Sequence, residues 1–124
     1  MRALIVDDSS FIREYLRQHL RRLGVECGEA ENGSEALRVL RCGEVFDLML
    51  VDVNMPVMNG LECVRWVREE GLEPQMKVMM VTTEADDTFI NQALEYGADE
   101  FLMKPFTPQS LREKLLLLGF DLAA

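Results

Sequence analysis

Long apolar segments and basic clusters are scarce in this chain, and each shortage excludes a class of protein. No apolar run approaches the roughly 20 residues that a membrane-spanning helix needs. The apolar run at the start, "ALIV", is too short for a secretory signal peptide. The formal net charge of −9 argues against unaided binding to nucleic acid, which normally uses a basic patch. We therefore expect a cytoplasmic protein that has neither a membrane nor a nucleic acid as a direct partner.

Cysteine is also too sparse to build a structural framework. The three cysteines, Cys27, Cys42 and Cys63, are widely spaced and odd in number. That pattern fits neither a disulfide scaffold nor a metal site of the CxxC type, so we expect reduced side chains that contribute to packing. The sequence also contains neither GxGxxG nor GxxxxGK(S/T), which disfavours a nucleotide-binding enzyme.

What the chain does contain is a regular alternation of apolar blocks and helical patterns. Its 124 residues suit one domain with a substantial core, and its 48% apolar content is typical of a globular protein. Continuous apolar runs predict buried strands, and a weaker strand is expected over 24–31. The strong runs are "ALIV" (3–6), "LMLV" (48–51), "VMMV" (78–81) and "EFLM" (100–103).

Helical periodicity fills the intervals between these runs. The predicted helices cover 10–23, 32–43, 60–71, 86–97 and 107–119. Thr107 followed by Pro108 is a strong helix-start signal, and Gly97 is suited to end a helix. Five strands that alternate with five helices predict an α/β fold with a parallel sheet and helices on both faces. We expect one domain over residues 1–119, with 120–124 as a short tail or linker stub.

Polar side chains follow the strands at the point where each one ends. In open parallel sheets, ligands bind outside the carboxyl ends of the strands, so these side chains should converge on one edge. Each feature alone has an ordinary explanation, since "DD", "NMP", "MNG" and "KP" are all common in turns. The residues concerned are Asp7, Asp8, Asp52, Asn54, Thr82, Thr83, Glu84 and Lys104.

Their joint placement predicts a metal site beside a phosphoryl group. Two unpaired carboxylates about 4 Å apart repel by roughly 4 kcal/mol at an effective dielectric of about 20, so three acids need a cation. Oxygen ligands without clustered histidine or cysteine match Mg²⁺. Lys104 and the Thr82 hydroxyl suit phosphoryl oxygens, and Asp52 suits the role of acceptor.

Four motifs together resemble a known family. "IVDDS", "LMLVDVNMPVMNG", "MMVTTEA" and "FLMKPFT" occur in this order, and the sequence resembles a response-regulator receiver domain over essentially its whole length. The last two motifs are also similar to those of the stand-alone chemotaxis receiver. The resemblance implies a flavodoxin-like strand order 2-1-3-4-5. It further implies a signalling switch whose phosphodonor is the phosphohistidine of a sensor histidine kinase or phosphotransfer protein.

By position, the resemblance implies a role for each acid. Asp52 would accept the phosphoryl group. Asp8 and Asp52 would ligate Mg²⁺ directly, with the backbone carbonyl of Asn54 as a third protein ligand. Asp7 would hold metal-bound water, and Lys104 would pair with the phosphoryl group, with a cis peptide bond between Lys104 and Pro105.

The resemblance also implies a conformational switch. Thr82 would hydrogen-bond the phosphoryl group and move together with Phe101, reshaping the surface made by helix 4, strand 5 and helix 5. Phe101 could equally be an ordinary core aromatic. The pair Asn54 and Glu84 resembles that of short-lived receivers and predicts fast self-dephosphorylation, whereas Glu84 alone could simply favour a helix start. Thr83 is larger than the residue common at its position and would narrow access to Asp52.

Two other functions compete with the phosphorylated switch. A receiver-like module could bind partners without being phosphorylated, although the complete set of Asp7, Asp8, Asp52, Thr82 and Lys104 argues against this. A phosphohydrolase of the haloacid-dehalogenase type also uses an aspartate nucleophile, but its nucleophile lies on the first strand. We expect no independent metabolic activity, an unknown downstream protein target, and either a monomer or a phosphorylation-dependent dimer.

Overall fold

The computed structural model describes residues 1–55, 58–83 and 86–123, in which five strands alternate with five helices. The strands are β1 (Arg2–Val6), β2 (Glu26–Ala30), β3 (Leu48–Asp52), β4 (Lys77–Thr82) and β5 (Glu100–Met103). The helices are α1 (Ser10–Arg22), α2 (Gly33–Arg41), α3 (Gly60–Glu69), α4 (Asp87–Tyr96) and α5 (Pro108–Leu117). The predicted elements are therefore confirmed, with ends that differ by a few residues.

The five strands form one parallel sheet in the order β2-β1-β3-β4-β5. This order confirms the predicted α/β architecture. Leu50 at the centre of β3 is in register with Ile5 on one side and Met79 on the other. Every residue of β3 is buried, whereas β2 lies at the sheet edge and is mostly half-buried. The weaker sequence signal of β2 thus reflects its edge position, since only one neighbouring strand covers it.

Two apolar layers lie on opposite faces of the sheet. Because alternate side chains of a strand point to opposite faces, Leu4 and Val6 face α2, α3 and α4, while Ala3 and Ile5 face α1 and α5. Burial on both faces is why the central strands consist of continuous apolar residues. The helices thus cover both faces of the sheet, and the ends of the strands lie at the edges of the two apolar layers.

Local signals in the sequence set the helix ends. The Ser9 hydroxyl accepts a hydrogen bond from the Ile12 backbone N–H at 3.2 Å, which satisfies a donor of the first turn of α1. Thr107 forms a reciprocal capping pair with Ser110 at the start of α5. Gly97 ends α4 with φ of +108°, a conformation that favours glycine.

The chain after α5 folds back onto α1. Phe120 and Leu122 are half-buried against the apolar layer between the sheet and helices α1 and α5. The Ala123 backbone N–H donates to the Leu23 carbonyl at 2.9 Å. Residues 120–123 are therefore packed against the body of the protein rather than free.

The cysteines differ in exposure, which corrects one expectation. Cys63 is buried and Cys27 is half-buried, but Cys42 is exposed at the end of α2. The prediction that all three contribute to packing is wrong for Cys42, because the last turn of α2 points that side chain to solvent. Within the described part of the chain, no helix combines the length and apolar character needed to cross a membrane.

Candidate functional site

Three carboxylates meet at the carboxyl edge of the sheet. Asp7 and Asp8 follow β1, and Asp52 is the last residue of β3, the strand beside it. One side-chain oxygen from each of the three lies within 4.8 Å of the others. Asp7 and Asp52 are buried, with 2% and 7% of their surface exposed, while Asp8 is exposed. The structure therefore brings together the three acids that the strand topology predicts to converge, in what we call the acidic pocket.

Lys104 supplies positive charge to the acidic pocket. Its Nζ lies 3.1 Å from Oδ1 of Asp52 and 3.6 Å from Oδ2 of Asp7. The Lys104 backbone N–H also donates to the Thr82 carbonyl at 2.8 Å, which fixes the lysine to the end of β4. One ammonium beside three carboxylates leaves an excess of two negative charges when all four groups are ionised. A divalent cation would compensate that excess.

Asp7 is held in place by several backbone contacts. Its Oδ1 accepts a hydrogen bond from the Ser9 N–H at 2.8 Å, and its own N–H donates to the Ala30 carbonyl at 3.1 Å. Arg13 donates to the Asp7 carbonyl at 2.6 Å and pairs with Glu29 at 3.0 Å. Because Glu29 pairs with Arg13, this arginine mainly orients the backbone of Asp7. It compensates little of the negative charge of the acidic pocket.

Burial raises the pKa of Asp7 above its ordinary value. The Ser9 N–H opposes this shift by favouring the ionised form, and so does the nearby ammonium of Lys104. The negative charges of Asp52 and Asp8 raise the pKa further. The net direction is upward, so the acidic pocket favours a proton or a metal ion close to Asp7.

The chemistry of the ligands fits Mg²⁺. All three clustered side chains are carboxylates, which are hard oxygen ligands, and the exposed Asp8 leaves the acidic pocket open toward solvent. Mg²⁺ is usually held by a few carboxylates while it keeps several waters. The residues present therefore suit this ion.

Thr82 and Phe101 lie on the same face of the sheet. Thr82 is the last residue of β4 and is 1% exposed. Phe101 is in register with Met80, which points to the same face as Thr82 because two residues separate them. Phe101 is half-buried in the apolar layer, and its ring lies edge-on to Phe89 of α4 at 6.2 Å between centroids. The aromatic therefore links β5 to α4 on the side where Thr82 lies.

Two of the remaining predicted residues lie just after strands β3 and β4. Asn54 is exposed two residues after Asp52, and Thr83 is exposed after Thr82. Glu84 lies outside the described residues. The peptide bond between Lys104 and Pro105 is cis, as the resemblance to receiver domains implies. Thr83 and Lys104 also line a cavity of about 350 Å³, whose other walls are Phe11, Ile12, Tyr15, Pro105 and Phe106.

Gly60 is a site residue that the sequence analysis missed, because "MNG" is also ordinary turn chemistry. A Cβ atom at Gly60 would lie 2.3 Å from the Asp52 carbonyl oxygen and 3.0 Å from Cγ1 of Val51. The Gly60 N–H also donates to the Val53 carbonyl at 2.9 Å. Helix α3 thus begins directly against the backbone of Asp52, and only glycine fits there. The available sequence signal was a glycine at a helix start, where a better helix former is usual.

Comparison with known proteins agrees with this geometry. Residues 3–116 match the response regulator receiver domain. The chain is 45% identical over 116 residues to the chemotaxis protein CheY homolog of Campylobacter jejuni, covering 93% of this chain and 89% of that protein. It is 41% identical over 121 residues to the chemotaxis protein CheY1 of Helicobacter pylori, covering 96% and 98%.

Solved structures show the same fold. The chemotaxis protein CheY4 of Vibrio cholerae superposes with a TM-score of 0.87 at 35% identity, covering 96% of this chain and 98% of that one. A CheY-like receiver domain from Methanospirillum hungatei gives a TM-score of 0.85 at 36% identity, covering 94% and 91%. Together with the match over residues 3–116, these likenesses show that the chain belongs to the response regulator receiver domain family.

Proposed function

We propose that this domain is a phosphorylation-controlled signalling switch in which Asp52 is the phosphoacceptor. The observation that carries the proposal is the position of Asp52, which is buried at the end of β3, 3.1 Å from Lys104, and clustered with two further carboxylates. A plain turn would not require these four charged groups to meet. A phosphoryl-transfer site does, because its chemistry depends on positioning and charge compensation.

In the proposed reaction, a carboxylate oxygen of Asp52 attacks the phosphorus of a phosphohistidine on a sensor kinase or phosphotransfer protein. The new P–O bond forms as the P–N bond breaks, and the imidazole nitrogen leaves with the electron pair. Lys104 moves its contact from Asp52 to an oxygen of the transferred group. Asp8, Asp52 and the Asn54 carbonyl would hold Mg²⁺, with Asp7 acting through water, and the bound ion would neutralise charge on the phosphoryl oxygens.

Phosphoryl transfer would then alter the surface made by α4, β5 and α5. The Thr82 hydroxyl donates a hydrogen bond to the arriving phosphoryl group. Phe101 moves into the space that Thr82 leaves beneath β4. The phosphoryl group need only favour one of two existing conformations. The surface of α4, β5 and α5 that responds carries exposed apolar side chains, including Leu94, Met103 and Leu116. It would control an unknown protein target, either as a monomer or through a phosphorylation-dependent dimer.

The switch would reset itself by hydrolysis. A water oxygen attacks phosphorus, the bond to Asp52 breaks, and inorganic phosphate leaves with the carboxylate restored. Asn54 and Glu84 would flank that water and make the reset fast, while Thr83 restricts entry. No other enzymatic activity is proposed. Since the relatives from Campylobacter and Helicobacter are named chemotaxis proteins, a cytoplasmic motility pathway is the candidate setting.

The test is two-dimensional NMR of the wild type and of Asp52→Asn, with Mg²⁺ alone and with Mg²⁺ plus beryllofluoride as a phosphoryl mimic. We expect wild-type shifts that spread from the acidic pocket to Phe101 and α4 only when beryllofluoride is present. Asp52→Asn should fold but give no such response. Metal shifts without a beryllofluoride response would support the binding-only module instead, and uptake of phosphate on Asp52→Asn would place the acceptor elsewhere.

A further inference from the structure

Arg68 of α3 joins that helix to the turn between α4 and β5. Its Nε–H donates to the Gly97 carbonyl at 3.1 Å, and its Nη2 donates to Oδ2 of Asp99 at 3.0 Å. The same oxygen of Asp99 accepts the Val78 backbone N–H at 2.8 Å, and the Asp99 N–H donates to the Val78 carbonyl at 2.8 Å. One side chain thus connects α3, the end of α4 and the start of β4. We call these four residues the α4 anchor.

The α4 anchor is closely packed around the stem of the arginine. The side chains of Arg68 and Asp99 are 23% and 31% exposed, so solvent screens their ion pair less than it screens a pair on the open surface. A Cβ atom at position 97 would lie 2.6 Å from Cγ of Arg68, which shows that the arginine stem crosses directly over Gly97. The glycine therefore both ends α4 and leaves room for Arg68.

Arg68 also supplies the positive charge that the end of α4 lacks. The carboxyl end of a helix carries partial negative charge on its free carbonyl groups, which a nearby cation stabilises. The last turn of α4 contains no basic residue, and the arginine of α3 occupies that place instead. Arg65, one turn earlier on α3, lies 5.7 Å from the centre of the Tyr96 ring, so a second contact joins α3 to the last residue of α4.

The amino-terminal half of α4 is held by apolar packing instead. Phe89 lies in the apolar layer edge-on to Phe101, and Ala93 is buried one turn later. Asp86 accepts the Phe89 N–H at 2.8 Å, but this bond lies within the helix start itself. In the described part of the chain, residues 86–95 form no hydrogen bond or ion pair with another element. Directional bonds therefore fix the carboxyl end of α4, while apolar contacts, which are not directional, hold its amino end.

We propose that Arg68 is a positioning residue of the switch, which fixes the carboxyl end of α4 while the amino end responds to Phe101. This inference rests on the function proposed above. When phosphorylation moves Phe101, its contact with Phe89 displaces the first turns of α4, and the α4 anchor holds residues 97–99 in place. The surface of α4, β5 and α5 then changes through a tilt of α4 about its anchored end, and not through a shift of the whole helix.

Two-dimensional NMR with Mg²⁺ plus beryllofluoride measures where α4 moves, and the Nε–H signal of Arg68 reports the α4 anchor directly. In the wild type we expect shifts of the amides of residues 87–90 and no change in the Arg68 signal or in the amides of 97–99. In Arg68→Ala the response should extend through 97–99, because the released end also moves. The Mg²⁺ affinity should change by less than about twofold, since the α4 anchor lies at the edge of the sheet opposite the acidic pocket.

Hydrogen exchange measures the α4 anchor without phosphorylation. In Arg68→Ala, the amides of residues 97–99 should exchange at least about tenfold faster relative to those of β3, whose exchange reports global unfolding. Arg41→Ala is the matched control, because it breaks the ion pair between α2 and Glu70 at the end of α3 without removing a contact to α4. It should alter neither measurement. Arg68→Gln keeps an unbranched stem over Gly97 without the charge, and the same results are expected of it if Arg68→Ala does not fold.

Three results would overturn the proposal and leave the signalling switch intact. One is a wild-type response in which the Arg68 signal and the amides of 97–99 shift as much as those of 87–90, since the whole helix would then move. Another is an identical pattern of shifts in Arg68→Ala and the wild type. The last is unchanged exchange of residues 97–99 in Arg68→Ala. A wild type that gives no beryllofluoride response anywhere would instead refute the proposed function, and the positioning role with it.

Discussion

Lys104 and Asp52 form an ion pair of 3.1 Å even though strand β4 lies between the strands that position them. They are 52 residues apart in sequence. The pair therefore exists only when β3, β4 and β5 have assembled in the right register. Because Lys104 also lies 3.6 Å from Asp7, its charge acts on two of the three acids at once.

Removal of Lys104 should strengthen metal binding while it impairs the switch. Lys104→Ala deletes a positive charge that repels a cation in the acidic pocket, and 1.4 kcal/mol of relieved repulsion corresponds to about tenfold in affinity. We expect Mg²⁺ to bind about threefold to tenfold more tightly, as measured by NMR or calorimetric titration. The beryllofluoride response at Phe101 should be lost, since nothing replaces the contact of the ammonium with the phosphoryl group.

Lys77→Ala is the control for this variant, because Lys77 is an exposed lysine at the opposite end of β4. It should leave both the Mg²⁺ affinity and the beryllofluoride response unchanged. Weaker Mg²⁺ binding in Lys104→Ala would contradict the electrostatic role assigned to the lysine.

The raised pKa of Asp7 predicts a pH-dependent stability in metal-free buffer. The native state binds a proton at Asp7 more readily than the unfolded state does, so this group destabilises the fold increasingly as the pH rises through its native pKa. Asp7→Asn, which can still accept the Ser9 N–H, should therefore be more stable than the wild type at neutral pH in EDTA. The difference should shrink as the pH is lowered through that raised pKa.

Denaturant unfolding of both proteins from about pH 4, near the ordinary pKa of an aspartate, up to about pH 7.5 measures this difference. Asp121→Asn, at an exposed position near the C-terminal end of the described chain, should show no comparable trend. Added Mg²⁺ should stabilise the wild type more than Asp7→Asn. A stability difference that stays constant across the pH range would argue against burial of an ionisable Asp7.

Replacement of Gly60 by alanine should disturb both stability and the acidic pocket. The added Cβ would meet the Asp52 carbonyl oxygen at 2.3 Å, so either α3 or the end of β3 must shift. Overpacking of this kind costs about 1–3 kcal/mol in the free energy of unfolding. Because the displaced backbone carries Asp52, the Mg²⁺ affinity should fall as well.

Gly43→Ala separates the two effects. The backbone at position 43 has a φ of +90°, which favours glycine. A Cβ atom on Gly43 would meet nothing within 4 Å. Its substitution should cost about 1–2 kcal/mol through backbone strain and leave Mg²⁺ binding intact. Equal Mg²⁺ affinities in Gly60→Ala and the wild type would show that the helix moves and Asp52 does not.

The hydroxyl of Thr82, rather than its volume, should couple phosphorylation to Phe101. Thr82→Val keeps the size of the buried side chain but removes the hydroxyl, whereas Thr82→Ser keeps the hydroxyl and removes a methyl group. We expect the beryllofluoride-dependent shift of the Phe101 ring to persist in Thr82→Ser and to disappear in Thr82→Val. A ring that responds equally in both variants would show that the Thr82 hydroxyl does not couple phosphorylation to Phe101. A ring that does not respond even in the wild type would make Phe101 an ordinary core aromatic.

Several features could be predicted from local sequence alone. The continuous run "LMLV" predicts a strand that is buried on both faces, and β3 is such a strand. Thr107 with Pro108 marks the start of α5, and Gly97 marks the end of α4, because helix capping depends on nearest neighbours. The strand–helix alternation then places Asp7, Asp8 and Asp52 on one edge, since all strands point the same way.

Other features depend on contacts between distant segments and could not be predicted. Gly60 is an ordinary turn glycine until α3 is packed against the carbonyl of Asp52. The packing of Phe120 and Leu122 against the α1 side depends on where α1 lies, and the exposure of Cys42 depends on how the last turn of α2 is oriented.

The order of the elements, their caps and the convergence of the acids follow from the amino-acid sequence, because periodicity, neighbouring residues and strand direction set them. Which charges are compensated depends instead on how the folded elements pack. Lys104 reaches Asp52 across β4, whereas Arg21 has no partner among the described residues, and both outcomes depend on distances between elements that are remote in the chain. Coulomb interactions depend on those distances and on burial, neither of which is encoded in the linear order of residues.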